Sequence, residues 1–309
     1  MDGVSRDVLR GPQLERRAHG LHRPSGTEVD QVDGRVDDAA ALLLPGTALG
    51  GWAALRLQGN RYFDGRAPAG LRPALVHCLP GTQLRRRDVV EPFRGLVHPG
   101  ETTWAGDVRV ATLARAAFDE ARLARDVREA TVVLDTATST TSGQARTTLA
   151  AVAGVVGAHV KVRGIVQARR ALVLASSRAA SPWETRTRLV AVLDADLRNL
   201  SVNVPVFDPW GRLIGVADLL DEATGLVIES DGAHHRDTLS HASDNVREED
   251  FERHGCVVVR ATGHDHRDRL ALAARMVAAQ RDAALVTRRR WTTVAPPWWS
   301  TWPGAARYR

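Results

Sequence analysis

The chain has 309 residues, of which 44% are hydrophobic, and a formal net charge of +6. That length suits one large domain or, as the favoured reading, two, and the apolar fraction supplies a real core and excludes wholesale disorder. No apolar run approaches the roughly 20 residues that span a bilayer, and the charged opening MDGVSRDVLRGPQLERRAHG has no apolar signal-peptide stretch. A cytoplasmic protein without membrane segments is therefore expected. Cys78 and Cys256 are far apart and form no zinc pattern, which fits a reducing compartment. The basic balance favours acidic partners such as DNA. Lys161 is the only lysine, so part of the excess reflects a general arginine bias. Arginine still grips phosphate through its planar fork.

In chain order, Leu14 to Pro24 (LERRAHGLHRP) reads as a basic β-hairpin or wing. Arg35 to Gly59 reads as two helical pieces broken at Pro45-Gly46. Ala74 to Leu79 and Gly95 to His98 read as short strands. Val108 to Ala137 and Thr147 to Leu174 read as long helical regions, and no solenoid repeat is visible.

Near Ser181 the pattern changes. Ser181 is a plausible N-cap, with Pro182 at the first helical position and Glu184 in the first turn. Leu189, Val192, Leu193 and Leu197 follow at helical spacing. Three strands are expected next, over Val202 to Phe207, Leu213 to Leu220 and Leu226 to Asp231, joined by turns at Asp208-Pro209-Trp210-Gly211 and Glu222 to Gly225. Ser240 to His254 reads as a helix closed by Gly255, Val257 to Arg260 as a strand and His266 to Ala284 as a last helix. The tail from Arg288 carries four of the eight tryptophans among prolines and arginines. A surface-packed extension is the favoured reading of it, and a stacking platform for single-stranded nucleic acid the lesser one.

The chemistry concentrates in VIESDGAHH. Residues i and i+2 of a strand share a face, so Glu229 and Asp231 point the same way. A hairpin loop of Glu222 to Gly225 sets Asp218 opposite Glu229, and opposed side chains lie about 5 Å apart. Glu184 is a candidate fourth carboxylate. Crowded carboxylates resist ionisation unless a cation compensates, and hard oxygen ligands select Mg²⁺ or Mn²⁺. Asp218, Glu229 and Asp231 are thus the candidate metal ligands. His234 or His235, just past the strand, is the candidate proton carrier. Any one of these residues alone would more often be solvated surface polarity. Three acids on strands flanked by LIGVA and GLVI are less easily explained that way.

On the motifs SPWE, NVPVFDPWGRLIGVADLLD, IESDGAHH and DNVREEDFERHGCVVVRAT, the region from Ser181 to Ala284 resembles the DUF559 endonuclease-like branch of the PD-(D/E)xK nuclease superfamily, related to the very-short-patch-repair endonucleases. The resemblance implies a restriction-endonuclease-like fold and Mg²⁺-dependent DNA cleavage. It puts Asp218 and Glu229 at the metal-binding positions and Glu184 at the acidic position of the first helix. Asp231 stands where the superfamily name expects lysine, so His235 or His234 would substitute. Asp250 resembles an acidic residue of the following helix in those relatives, with Asp244 and Glu249 as alternatives. Arg247 and Arg236 are candidate DNA contacts. Asp250 paired with Arg247 on a helix surface is the bland alternative. The first part weakly resembles an AbiEi-type antitoxin-like module, but little precedes LERRAHGLHRP, so sequence-specific DNA reading through recognition helices is not expected there.

The expected chain is therefore α+β. Residues 1–178 form a mainly helical α+β region with a residual wing. Residues 179–287 form an α-β-β-β-α-β-α domain with a mixed central sheet, and 288–309 a Trp/Arg/Pro-rich tail. The leading expectation is a metal-dependent DNA endonuclease. A regulatory DNA-binding protein with little or no catalysis is the second, and a purely structural acid cluster the third.

Overall fold

The computed structural model describes residues 7–8, 11–26, 30–231 and 238–308, excepting the side chains of 238–245. The fold is mixed α+β and divides into two compact units. One comprises Met1–Ala137 with Gln144–Val173, the other Thr138–Gly143 with Leu174–Arg309. No helix among the described residues is long and apolar enough to cross a membrane.

The first unit opens with the expected hairpin, β1 (Leu14–Ala18) and β2 (Leu21–Pro24). Helix α1 (Gln31–Ala40) follows, capped by the Asp30 carboxylate. Then come β3 (Thr47–Leu49), α2 (Gly51–Leu57), the short pair β4 (Arg66–Ala67) and β5 (Gly70–Leu71), β6 (Ala74–Cys78), β7 (Val90–Phe93), β8 (Thr102–Ala105) and β9 (Val108–Ala111). Helices α3 (Leu113–Leu123), α4 (Val127–Thr138), α5 (Leu149–Ala158) and α6 (Ile165–Leu174) complete it. Five strands form a mixed sheet in the order β7-β6-β3-β9-β8.

Helices still hold more residues than strands in this α+β unit, but the sheet holds more strands than the sequence announced. The chain leaves the Pro45-Gly46 break as strand Thr47–Leu49 rather than as helix. Val108–Ala111 is a strand, and Gly95–His98 is not. Apolar runs of three or four residues carry too little periodicity to separate strand from helix. The missed strand Val90–Phe93 contains Pro92, which argues against a central strand, but this one lies at the sheet edge, where a missing N–H is tolerated.

In the second unit, α7 (Pro182–Leu193) starts as expected, with Ser181 Oγ accepting from the Glu184 N–H at 3.2 Å. It leads to β10 (Leu200–Phe207), β11 (Leu213–Asp221), β12 (Leu226–Asp231), α8 (Thr238–Arg253), β13 (Val257–Thr262), a single 3-10 turn (Asp265–Arg267) and α9 (Arg269–Leu285). The sheet order is β10-β11-β12-β13, antiparallel up to β12 and parallel between β12 and β13. Alternation along the strands feeds two cores. Leu219, Leu226, Ile228 and Val259 pack with Val190 of α7 and Leu272 and Met276 of α9. Ile214, Leu220 and Val227 pack with Phe251 of α8. The tail packs within this unit: Thr292 bridges to Phe207, and Trp299 and Ala305 bury against it.

Candidate functional site

The β11–β12 hairpin sets the site. Its loop spans 222–225 and closes through the Gly225 N–H bonded to Asp221 O at 2.7 Å. The ladder pairs Leu226 with Asp221, Val227 with Leu220 and Ile228 with Leu219. One step further the same register brings Glu229 opposite Asp218, and there the backbone ladder stops. Side chains take over its hydrogen bonds. Glu229 Oε1 accepts from the Asp218 N–H at 3.3 Å, and Asp218 Oδ2 accepts from the Ser230 N–H at 2.8 Å. Two carboxylates thus sit in the opening between neighbouring strands.

Both remaining walls also supply charge. Glu184, 8% exposed, stands in the first turn of α7, where the helix dipole favours a carboxylate. Its Oε2 accepts from the Ala180 N–H and from Asn203 Nδ2, each at 2.7 Å. From α8, Arg247 Nη2 donates to Glu229 Oε2 at 2.8 Å. The Arg247 side chain is 40% exposed, so one end of this ion pair is open to solvent.

Asn203 was missed by the sequence reading. It lies in β10 with φ 49°, a left-handed conformation that asparagine tolerates better than most residues. The β10–β11 register passes from Val202–Leu219 to Val204–Ala217 and skips the Asn203–Asp218 step. At this step Val202 and Leu219 face one core, while Val204 and Ala217 face the other. Asparagine inside an apolar strand is disfavoured, and that was the signal available in SVNVPVF.

The electrostatics follow. Burial pushes the Asp218 carboxyl well above the ordinary carboxylate range, and the Glu229 and Glu184 charges push it further; the Ser230 N–H and Arg247 oppose them. Burial also raises Glu229 against Arg247, and raises Glu184 against its hydrogen bonds from Asn203 and Ala180. A raised acid holds its proton longer in the folded state. Stability from this source is therefore full below the unfolded value near 3.8 for Asp218 and is lost as pH rises through the folded value. Asp218→Asn relieves that loss while keeping an acceptor for the Ser230 N–H. Without metal, the variant is expected to melt higher than wild type at pH 7, by about 1–2 kcal/mol of stability. The gap should close toward pH 4, as thermal unfolding across that range would show.

The other expected residues divide. Asp231 continues β12 in register with Thr262, but its carboxylate makes no hydrogen bond or ion pair among the described residues. His234, His235 and Arg236 lie outside the described residues, as does the Asp244 side chain. Asp250 pairs with Arg212 at 3.4 Å and Arg253 at 3.6 Å. The Asp250–Arg247 pair weighed from the sequence is thus replaced, because Arg247 reaches across to Glu229 instead. Glu249 pairs with Arg253 on the surface at 2.6 Å.

Among the described residues, no three His, Cys, Asp or Glu side chains are disposed as a formed metal centre. The donor chemistry at the strand opening is nevertheless of the hard-oxygen kind. Asp218 Oδ1 accepts no hydrogen bond among the described residues, so an oxygen remains open beside the Asp218–Glu229 pair. Compared with known protein families, curated proteins and solved structures, the chain matches none of them.

Proposed function

We propose that the second unit is a metal-dependent endonuclease that hydrolyses DNA phosphodiester bonds, a DUF559-like member of the PD-(D/E)xK nucleases. The observation that carries this reading is the facing of Asp218 and Glu229 across the end of the β11–β12 ladder, with Glu184 beside them and Arg247 reaching in. A fold keeps mutually repelling carboxylates, Glu229 and Glu184 buried and Asp218 half-buried, at a cost, and a divalent cation is the usual compensation.

Asp218 and Glu229 would hold Mg²⁺ or Mn²⁺, with Asp231 assisting; such ions keep several water ligands, so two or three protein carboxylates suffice. The bound ion would polarise the phosphoryl group and acidify a water. The protein's own residues do the rest. Arg247, partly exposed, is placed to take a phosphate oxygen in a charge-assisted bond, exchanging its partner Glu229 for substrate. Glu184 keeps Asn203 in its unusual conformation, which holds the strands apart at Asp218. His235 or His234 would move the proton. The net charge of +6 favours DNA as partner, and free, buried Cys78 and Cys256 fit a cytoplasmic setting.

A second reading keeps the fold and DNA binding but little or no catalysis, as in an antitoxin-like or regulatory protein. It is favoured by Asp231 standing in place of lysine and by Arg247 already neutralising Glu229. The two separate on one assay: plasmid and single-stranded DNA incubated with Mg²⁺ or Mn²⁺. The nuclease reading expects cleavage that chelation abolishes. Salt-dependent DNA binding without cleavage would select the second reading instead.

A further inference from the structure

A histidine absent from the sequence-based site lies behind it. His266 sits in the 3-10 turn between β13 and α9. Its Nε2 is 3.1 Å from Thr187 Oγ1, and that hydroxyl is 3.0 Å from Ser230 Oγ. Ser230 is the residue between Glu229 and Asp231, and its N–H donates to Asp218 Oδ2 at 2.8 Å. Hydrogen bonds therefore run from the imidazole through Thr187 to the Ser230 hydroxyl, and the backbone N–H of the same Ser230 reaches the Asp218 carboxylate.

The chain is held at both ends. Trp183 lies against the imidazole with ring centroids 5.2 Å apart. The turn itself is clamped by Asp265 Oδ2, which accepts from the Thr262 N–H at 2.8 Å and its hydroxyl at 2.6 Å. Thr262 is the register partner of Asp231, so the clamp ties the turn to the same end of β12. Thr187 is fully buried, and its hydroxyl bonds across to β12 and the turn. The face around it is otherwise packed by Val190, Ala191, Ile228 and Leu272, so valine and alanine would serve packing at 187 and 230. A fully buried Thr187 hydroxyl joined to the half-buried Ser230 hydroxyl and to an imidazole needs another reason. Burial, and next the Arg186 charge from α7, lower the His266 pKa against Asp265 on its own turn, whose carboxylate is shared with Arg275 of α9. The ring is therefore neutral at pH 7 and can accept from Thr187 or donate to it.

We propose that His266 is a positioning residue that acts through Thr187 and Ser230 to hold Asp218 in place for a divalent cation. This rests on the reading of Asp218 as a metal ligand. Outer partners of ligands commonly change metal affinity 10–100-fold (an order-of-magnitude figure). Supporting Asp218 from behind leaves the strand opening clear for substrate.

The test is calorimetric titration of the full chain with Mn²⁺, with thermal unfolding of each variant alongside. His266→Ala and Thr187→Val should each weaken Mn²⁺ binding about 10–100-fold. Thr187→Ser, which keeps the hydroxyl, should bind as wild type does. The double variant should bind no more weakly than either single one, because both break one chain. A merely structural role would lower the melting temperature and leave the affinity of the folded protein unchanged. Wild-type affinity in both single variants, or additive losses in the double, would overturn the inference. Thr187→Val is near-isosteric and serves if His266→Ala does not fold. A wild-type protein that binds no Mn²⁺ would instead bring down the metal reading, and this inference with it.

Discussion

Glu229→Ala is expected to abolish metal-dependent DNA cleavage, by a factor of roughly 10³ or more, since it removes a proposed ligand of the ion that stabilises the transition state. The same change should not unfold the protein. Removing one partner of a fully buried ion pair is strongly destabilising because the other charge is stranded. Here the partner, Arg247, has a side chain 40% exposed and can turn to water. The deletion also removes a charge that raises Asp218. Plasmid nicking with Mn²⁺ and thermal unfolding on the same sample separate the two effects. Lost activity with unchanged or higher melting temperature is the expected pattern. Retained activity would remove Glu229 from the machinery, and a fall of many degrees would make its role structural.

The opposite balance holds in the first unit, where Asp119→Ala should cost about 3–5 kcal/mol. Asp119 is wholly buried on α3. It accepts from Arg115 Nε and Arg122 Nε, each at 2.9 Å, and lies 2.9 Å from His77 Nε2. Burial alone would raise its pKa; His77, Arg115 and Arg122 hold it far below the ordinary carboxylate range. Arg115 also bonds Glu101, which in turn bonds His159 at 2.7 Å. Removing Asp119 leaves Arg122 without a buried counter-charge and Arg115 with only half of its own. The sign with pH is the reverse of that at Asp218. Stability from Asp119 is present above its unfolded value near 3.8 and is lost as pH falls toward the folded value. Thermal unfolding at pH 7 should show a drop on the order of 10 °C, narrowing in acid. A variant that melts like wild type would mean that the buried network carries little of this unit's stability.

The contrast between the two acids shows what was legible in the residues. The β11–β12 register could be read because a four-residue loop and a two-residue period leave few alternatives, and Glu229 opposite Asp218 followed from it. The start of α7 was legible because capping is local chemistry. The sheet of the first unit was not, since its short strands are joined by pairings such as Leu49–Val110 that no local pattern announces. Arg247 was singled out as a DNA contact, but its bond to Glu229 depends on how α8 lies over β12. His266 stands 79 positions from Thr187, and only the fold closes that distance. Asn203 was visible as an oddity in a strand, but its meaning depended on Glu184 lying beside it.

Whether Asp218 and Glu229 share one divalent cation can be read from a crystal of the full chain soaked in Mn²⁺, by anomalous scattering. A single strong peak is expected at the end of the β11–β12 ladder, bonded to oxygens of both carboxylates, with Arg247 turned away from Glu229. No peak within bonding distance of either carboxylate at saturating Mn²⁺, with the Arg247–Glu229 pair intact, would contradict a shared cation.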